Sequence, residues 1–89
     1  QANMPADVYA LGAMFYLFLT GKPPHQAERA HELFKLVLSG KVDPPSTHRE
    51  GIDVELDRIT AKALSRYALD RYPHAIAFAR DLRAWLDAR

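Results

Sequence analysis

A chain of 89 residues can enclose one modest hydrophobic core, so a single domain at most is expected. With 12 Lys and Arg against 11 Asp and Glu, the formal net charge of +1 lacks the basic footprint of a nucleic-acid or acidic-membrane binder. The absence of cysteine excludes a disulfide framework and a thiolate zinc site, and suits a reducing, cytoplasmic setting.

Gln1 to Pro5 reads as the continuation of something earlier, with no basic-then-apolar leader. From Asp7 to Thr20 the spacing predicts a helix with no polar face, since Val8 to Leu19 are all apolar, aromatic or glycine. The run falls short of the roughly 20 residues that span a bilayer, so it is expected at the centre of a water-soluble core. Gly21 supplies a helix stop, and Pro23 and Pro24 block a restart.

A second helix is predicted over residues 28–38, with Ala30, Leu33, Phe34, Val37 and Leu38 on one apolar stripe, Leu36 off it, and Gly40 as terminator. Residues 42–53 carry prolines, glycine and charges and read as a surface loop. Asp53 is placed to cap a third helix over 54–66, whose stripe is Leu56, Ile59, Ala63 and Leu64. After a break at Tyr67 to Pro73, a fourth helix over 74–88 is expected to bury Ala75, Phe78, Ala79, Leu82, Trp85 and Leu86, leaving Arg80, Asp81, Arg83 and Asp87 in water. No segment alternates with period two, so the fold class is all-α: an orthogonal bundle of about four helices around the apolar first helix, forming one partial domain over residues 1–89. Three other helices can hardly encircle that first helix.

Several motifs carry a resemblance. Asp7-Val-Tyr-x-Leu11-Gly12, followed by Leu19-Thr20-Gly21-x-Pro23-Pro24, resembles the central C-lobe helix of protein kinases. Leu56-Asp-x-Ile59-x-x-Lys62-Ala63-Leu64, then Asp70-Arg71-Tyr72-Pro73, then Ala79-x-Asp81-Leu82-x-x-Trp85-Leu86 is similar to the end of bacterial, eukaryotic-type Ser/Thr kinase domains. The match runs in order over nearly the whole chain, which makes it specific although each short motif alone is weak.

The resemblance implies a role for four residues. Asp7 would hold the backbone of the catalytic loop, which lies upstream in the family; in any helix, a first-turn carboxylate also meets unpaired amides and the positive dipole end. Arg71 would pair with the glutamate that closes the activation segment, a bidentate task suited to guanidinium, against the alternatives of a local pair with Asp70 or a solvated arginine. Leu17 stands where members preferring basic substrates carry an acidic residue, so no demand for a substrate arginine is implied; plain core packing is the alternative. Leu36 lies on a helix that in kinases commonly meets substrates and regulators, although one exposed leucine is ordinary on any protein. Two departures stand out: Tyr67-Ala68 replaces the family's Asp-Pro, and His25 replaces its phenylalanine, which implies a looser join between the first two helices.

The glycine-rich loop, ATP-anchoring lysine, catalytic aspartate and metal-binding aspartate of kinases have no counterpart here, so no catalytic, cofactor-binding or metal residue is assigned. His25, His31, His48 and His74 match no ligand spacing, and Ser39, Ser46 and Ser65 lack a nucleophile elbow. The resemblance implies ATP and Mg²⁺ as cofactors of a parent kinase, with its upstream half and a protein substrate as partners. A non-catalytic interaction module or pseudokinase remnant is the alternative. A helix-turn-helix over the last two helices is disfavoured, because Arg80 and Arg83 alternate with Asp81 and Asp87.

Overall fold

The computed structural model describes residues 4–89, so Gln1 to Asn3, part of the opening stretch read as a continuation, lie outside the described residues. Helix α1 spans Met4–Thr20 and thus begins ahead of Asp7. Pro5 explains the early start: its missing N–H falls in the first turn, where amides have no intrahelical partner. At the other end Gly21 adopts φ +76° and its N–H bonds Leu17 O at 2.7 Å. The Thr20 hydroxyl donates to Tyr16 O and accepts from Lys22 N–H at 3.0 Å, which closes the turn.

Helix α2 (Ala30–Ser39) starts later than residue 28, because Arg29 is extended and offers no side-chain cap. It ends on Gly40 in the left-handed region. The expected loop over 42–53 contains a short helix, α3 (Pro45–His48), with Pro45 at its start. Four residues are too few for a periodic signal, and α3 is held from outside: the Ser46 N–H and hydroxyl both donate to the Asp57 carboxylate. Helix α4 (Val54–Ala63) opens on Asp53, whose carboxylate accepts from Glu55 N–H at 3.0 Å, and closes at Ala63 instead of Arg66. A 3₁₀ turn (Ala68–Asp70) follows, then α5 (Ala75–Asp87), capped by His74 Nδ1 accepting from Ala77 N–H. Among the described residues there is no strand, and the architecture is all-α.

The core lies between α1, α4 and α5. Val8, Gly12 and Tyr16, at i, i+4 and i+8, turn one edge of α1 onto Ile59, Ala63, Leu64 and Phe78. Phe15 meets Phe78 edge-on with ring centroids 6.1 Å apart. Tyr16 is fully enclosed, yet its hydroxyl is satisfied by Asp43 O at 2.7 Å, which ties the segment before α3 to α1. The α4 stripe is buried as its periodicity predicts. On α5 the inside face is Phe78, Leu82 and Trp85 with Ala77, whereas Ala75, Ala79 and Leu86 are exposed.

Helix α1 is central in that α3, α4, α5 and the 3₁₀ turn all pack on it. They cover only one side. The molecule measures 41 × 37 × 17 Å, and with helix axes 8–10 Å apart the thin dimension admits two helix layers and no third. Phe18 is 79% exposed, Met14 66% and Leu17 48%. Helix α2 buries none of its residues, so its apolar stripe exists but is uncovered; Phe34 on it is 64% exposed.

Gly12 sits where α1 and α4 approach most closely: a Cβ there would stand 2.8 Å from Ala63 Cβ. Gly12→Ala is therefore expected to destabilise the fold. Overpacking costs about 1–3 kcal/mol and the gain in helix propensity returns about 1 kcal/mol, for a net loss of up to about 2 kcal/mol. Urea unfolding of a protein carrying this chain measures it, and a more stable variant would show that the two helices part without cost.

Candidate functional site

The side chain that gathers most partners is Arg71, at the N-terminal end of α1. Its Nε donates to Ser65 O at 2.7 Å, Nη2 to Arg66 O at 3.1 Å and Nη1 to Pro5 O at 3.3 Å. The guanidinium also lies over the Tyr9 ring, 4.8 Å from its centroid. One cation thereby joins three backbone carbonyls, two just past the end of α4 and one in the first turn of α1. A local pair with Asp70 and a fully solvated arginine are both ruled out by this geometry. A guanidinium has five N–H groups. Three are used, which leaves one on each Nη for a further acceptor.

Tyr9 extends the cluster, since its hydroxyl lies 3.2 Å from His25 Nε2. Burial raises the phenol pKa and lowers that of the imidazole, so both groups stay neutral near pH 7 and the phenol can donate to a bare Nε2. His25 thus ties the turn after α1 back to that helix by a polar bond, while α2 beyond it buries none of its residues.

Asp7 lies in the first turn of α1, exposed, and among the described residues it makes no hydrogen bond or ion pair. The cap role open to any first-turn carboxylate is therefore not taken up. Arg71 and Asp7 share one end of α1 but are not ion-paired. Leu17 lies ten residues further on, about 15 Å along the helix. It is 48% exposed in this segment. Leu36, 38% exposed, borders a cleft with Lys22, Pro24, His25 and Lys41. The four sequence-assigned residues thus fall into separate places: Asp7 and Arg71 at one end of α1, Leu17 on its open flank, Leu36 on α2.

Behind Arg71 lies a polar network that the sequence did not reveal. Tyr72, 3% exposed, stacks on Phe78 at 5.4 Å, carries Lys62 Nζ over its ring at 4.6 Å from the centroid, and donates its hydroxyl to Asp81. Arg58 forks onto Asp81, Nη1 to Oδ2 and Nη2 to Oδ1 both at 3.2 Å, while its Nε donates to Glu55 at 3.0 Å. Burial first, and then the Asp81 carboxylate, push the Tyr72 phenol pKa up; the bonds from Arg58 and Tyr72 hold Asp81 below the usual carboxylate range. Asp81 was expected to face water. It is half-buried because its partners lie on α4 and in the preceding loop.

Three other titratable residues have structural partners. His74 is a cap, His48 stands 3.9 Å from Asp43, and Arg83 pairs with Asp87 one turn away. Among the described residues no three His, Asp or Glu side chains converge as metal ligands would. Among the described residues no helix is long and apolar enough to cross a membrane.

The chain is thus an all-helical piece with one open flank, in which Arg71 joins the start of α1 to the end of α4. No family model matches the chain. Relatives do: it is 37% identical over 75 residues, 84% of its length, to serine/threonine-protein kinase PknH of Mycobacterium bovis. It is 37% identical over 86 residues, 97% of its length, to tyrosine-protein kinase MasK of Myxococcus xanthus, and 36% identical over 77 residues, 86% of its length, to serine/threonine-protein kinase PknB of Mycobacterium leprae. The chain spans only 12–13% of the length of these relatives. It is homologous to bacterial protein kinases over that one segment, and its motifs are those of the C-lobe.

Proposed function

We propose that this chain acts as the C-terminal helical subdomain of a protein serine/threonine kinase, holding the catalytic loop and the activation segment in place while phosphoryl transfer from ATP and Mg²⁺ takes place upstream. The observation that carries this reading is the Arg71 guanidinium, fixed by three backbone carbonyls with an N–H left on each Nη. An acceptor with two oxygens, such as the glutamate that closes a kinase activation segment, suits those two donors. Asp7, unpartnered among the described residues, would take backbone amides of the catalytic loop. Part of the open flank of α1 would pack against the upstream half of the same domain, while Leu17 on that flank and Leu36 on α2 would each be free to meet a protein substrate or regulator. The setting is cytoplasmic in this reading, with no nucleic-acid or membrane contact from the segment. A non-catalytic docking module has one specific observation in its favour, the uncovered stripe of α2.

The 89 residues by themselves are expected to give no heat with ATP and Mg²⁺ in calorimetry and no phosphotransfer, whereas a full-length protein carrying them phosphorylates serine or threonine in phosphoamino-acid analysis. Saturable micromolar ATP binding by the isolated chain would overturn the division of labour. Phosphotyrosine as the main product would replace the serine/threonine reading with one like that of MasK. An inert full-length protein would favour the docking module.

A further inference from the structure

Arg71 has extended backbone, φ −83° and ψ 170°, and along extended chain successive side chains point to opposite sides. Arg71 accordingly reaches toward α1 while Tyr72 enters the crevice between α4 and α5. We infer that Tyr72 and Asp81 are positioning residues: the hydroxyl-to-carboxylate bond, backed by the Arg58 fork, fixes the extended pair and with it the direction in which the Arg71 guanidinium presents its two remaining N–H groups. The functional consequence rests on the kinase reading of Arg71; the positioning itself does not.

The physical reason lies in the kinds of contact Tyr72 makes. Stacking on Phe78 and the ammonium of Lys62 over the ring resist separation, but neither stops the ring from sliding in its own plane. A charge-assisted O–H to carboxylate bond is directional and does. That bond is only as fixed as its acceptor, and Asp81 is oriented through both oxygens by Arg58, itself anchored to Glu55. The chain of restraint therefore runs from α4 through Arg58 to Asp81 on α5, then to Tyr72 and the residue before it. The 3₁₀ turn preceding Arg71 has only two backbone bonds to hold it, Asp70 N–H to Tyr67 O at 3.0 Å and Arg71 N–H to Ala68 O at 3.1 Å. These two amides report on it.

Hydrogen exchange read by mass spectrometry, on the full-length protein that carries the chain, tests the proposal. Tyr72→Phe keeps the ring and removes only the hydroxyl; Asp81→Asn keeps the shape and removes the charge. Either is expected to speed exchange at Asp70 and Arg71 about tenfold more than at Leu56 to Thr60 in α4, as loss of one charge-assisted bond predicts. Asp87→Asn, which breaks only an exposed pair, should change neither. Unchanged exchange at Asp70 and Arg71 in both variants, or an equal rise in α4, would overturn the proposal and leave Tyr72 as core packing alone. Faster exchange at the turn with wild-type phosphotransfer would support the positioning and refute the kinase role of Arg71.

Discussion

Purified alone at micromolar concentration, the 89-residue chain is expected to self-associate, to bind a hydrophobic dye and to unfold without a sharp transition. One flank of α1 and the stripe of α2 together expose Leu11, Met14, Leu17, Phe18, Leu33, Phe34, Leu36, Val37 and Leu38. Burying one large apolar side chain contributes about 1.5–3 kcal/mol. Leaving five or six of them partly uncovered forfeits on the order of 5–10 kcal/mol, comparable with the roughly 5–15 kcal/mol net stability of a whole domain. No polar face of α1 can be turned outward instead, because Val8 to Leu19 contains none. Light scattering and dye fluorescence measure the outcome. A monodisperse monomer with cooperative unfolding and no dye signal would mean that two helix layers suffice, and the segment would then stand as a domain in its own right.

The same apolar run shows how far sequence alone reached. The stripe of α4, the Asp53 cap and the Gly21 and Gly40 stops were legible, because each depends on residue type at a fixed local spacing. Helix α3 was not, since four residues show no period and its restraint comes from Asp57, eleven residues after Ser46. Periodicity also located the apolar stripe of α2 without revealing that it is left unburied: the pattern records which face is apolar, and burial depends on a neighbour. Tyr16 passed as one more apolar residue because its acceptor, Asp43 O, is a backbone carbonyl that any residue type would provide.

The site was legible in the same uneven way. Arg71 and Asp7 stood out through their motifs, but the partners of Arg71 are carbonyls of Pro5, Ser65 and Arg66, which no side-chain pattern encodes. Asp81 was misplaced for a related reason. On the helical wheel of α5 it lies off the apolar stripe and reads as solvated, whereas its partner Arg58 is 23 residues upstream on another helix.

Arg71→Ala and Arg71→Lys separate clamp from latch. In a full-length protein, Arg71→Ala is expected to lose about 2–3 kcal/mol of stability, because three backbone carbonyls lose a charged donor and a hydrogen bond to a charged group contributes about 1.5–3 kcal/mol, with water repaying part of the loss. Lysine keeps the charge but not the fork. A single ammonium cannot reach Ser65, Arg66 and Pro5 from one position with the geometry the guanidinium achieves, so Arg71→Lys should lose about 1–2 kcal/mol. If Arg71 also receives a carboxylate from an activation segment, both variants should speed hydrogen exchange in that segment and reduce phosphotransfer by about tenfold or more, the factor that corresponds to roughly 1.4 kcal/mol. Urea unfolding measures the first effect, exchange and turnover the second. Lower stability with wild-type turnover in Arg71→Lys would leave Arg71 as a clamp between α4 and α1 alone. Wild-type stability with reduced turnover would mean that the three carbonyl bonds are replaced by water without cost, and that the guanidinium serves the activation segment.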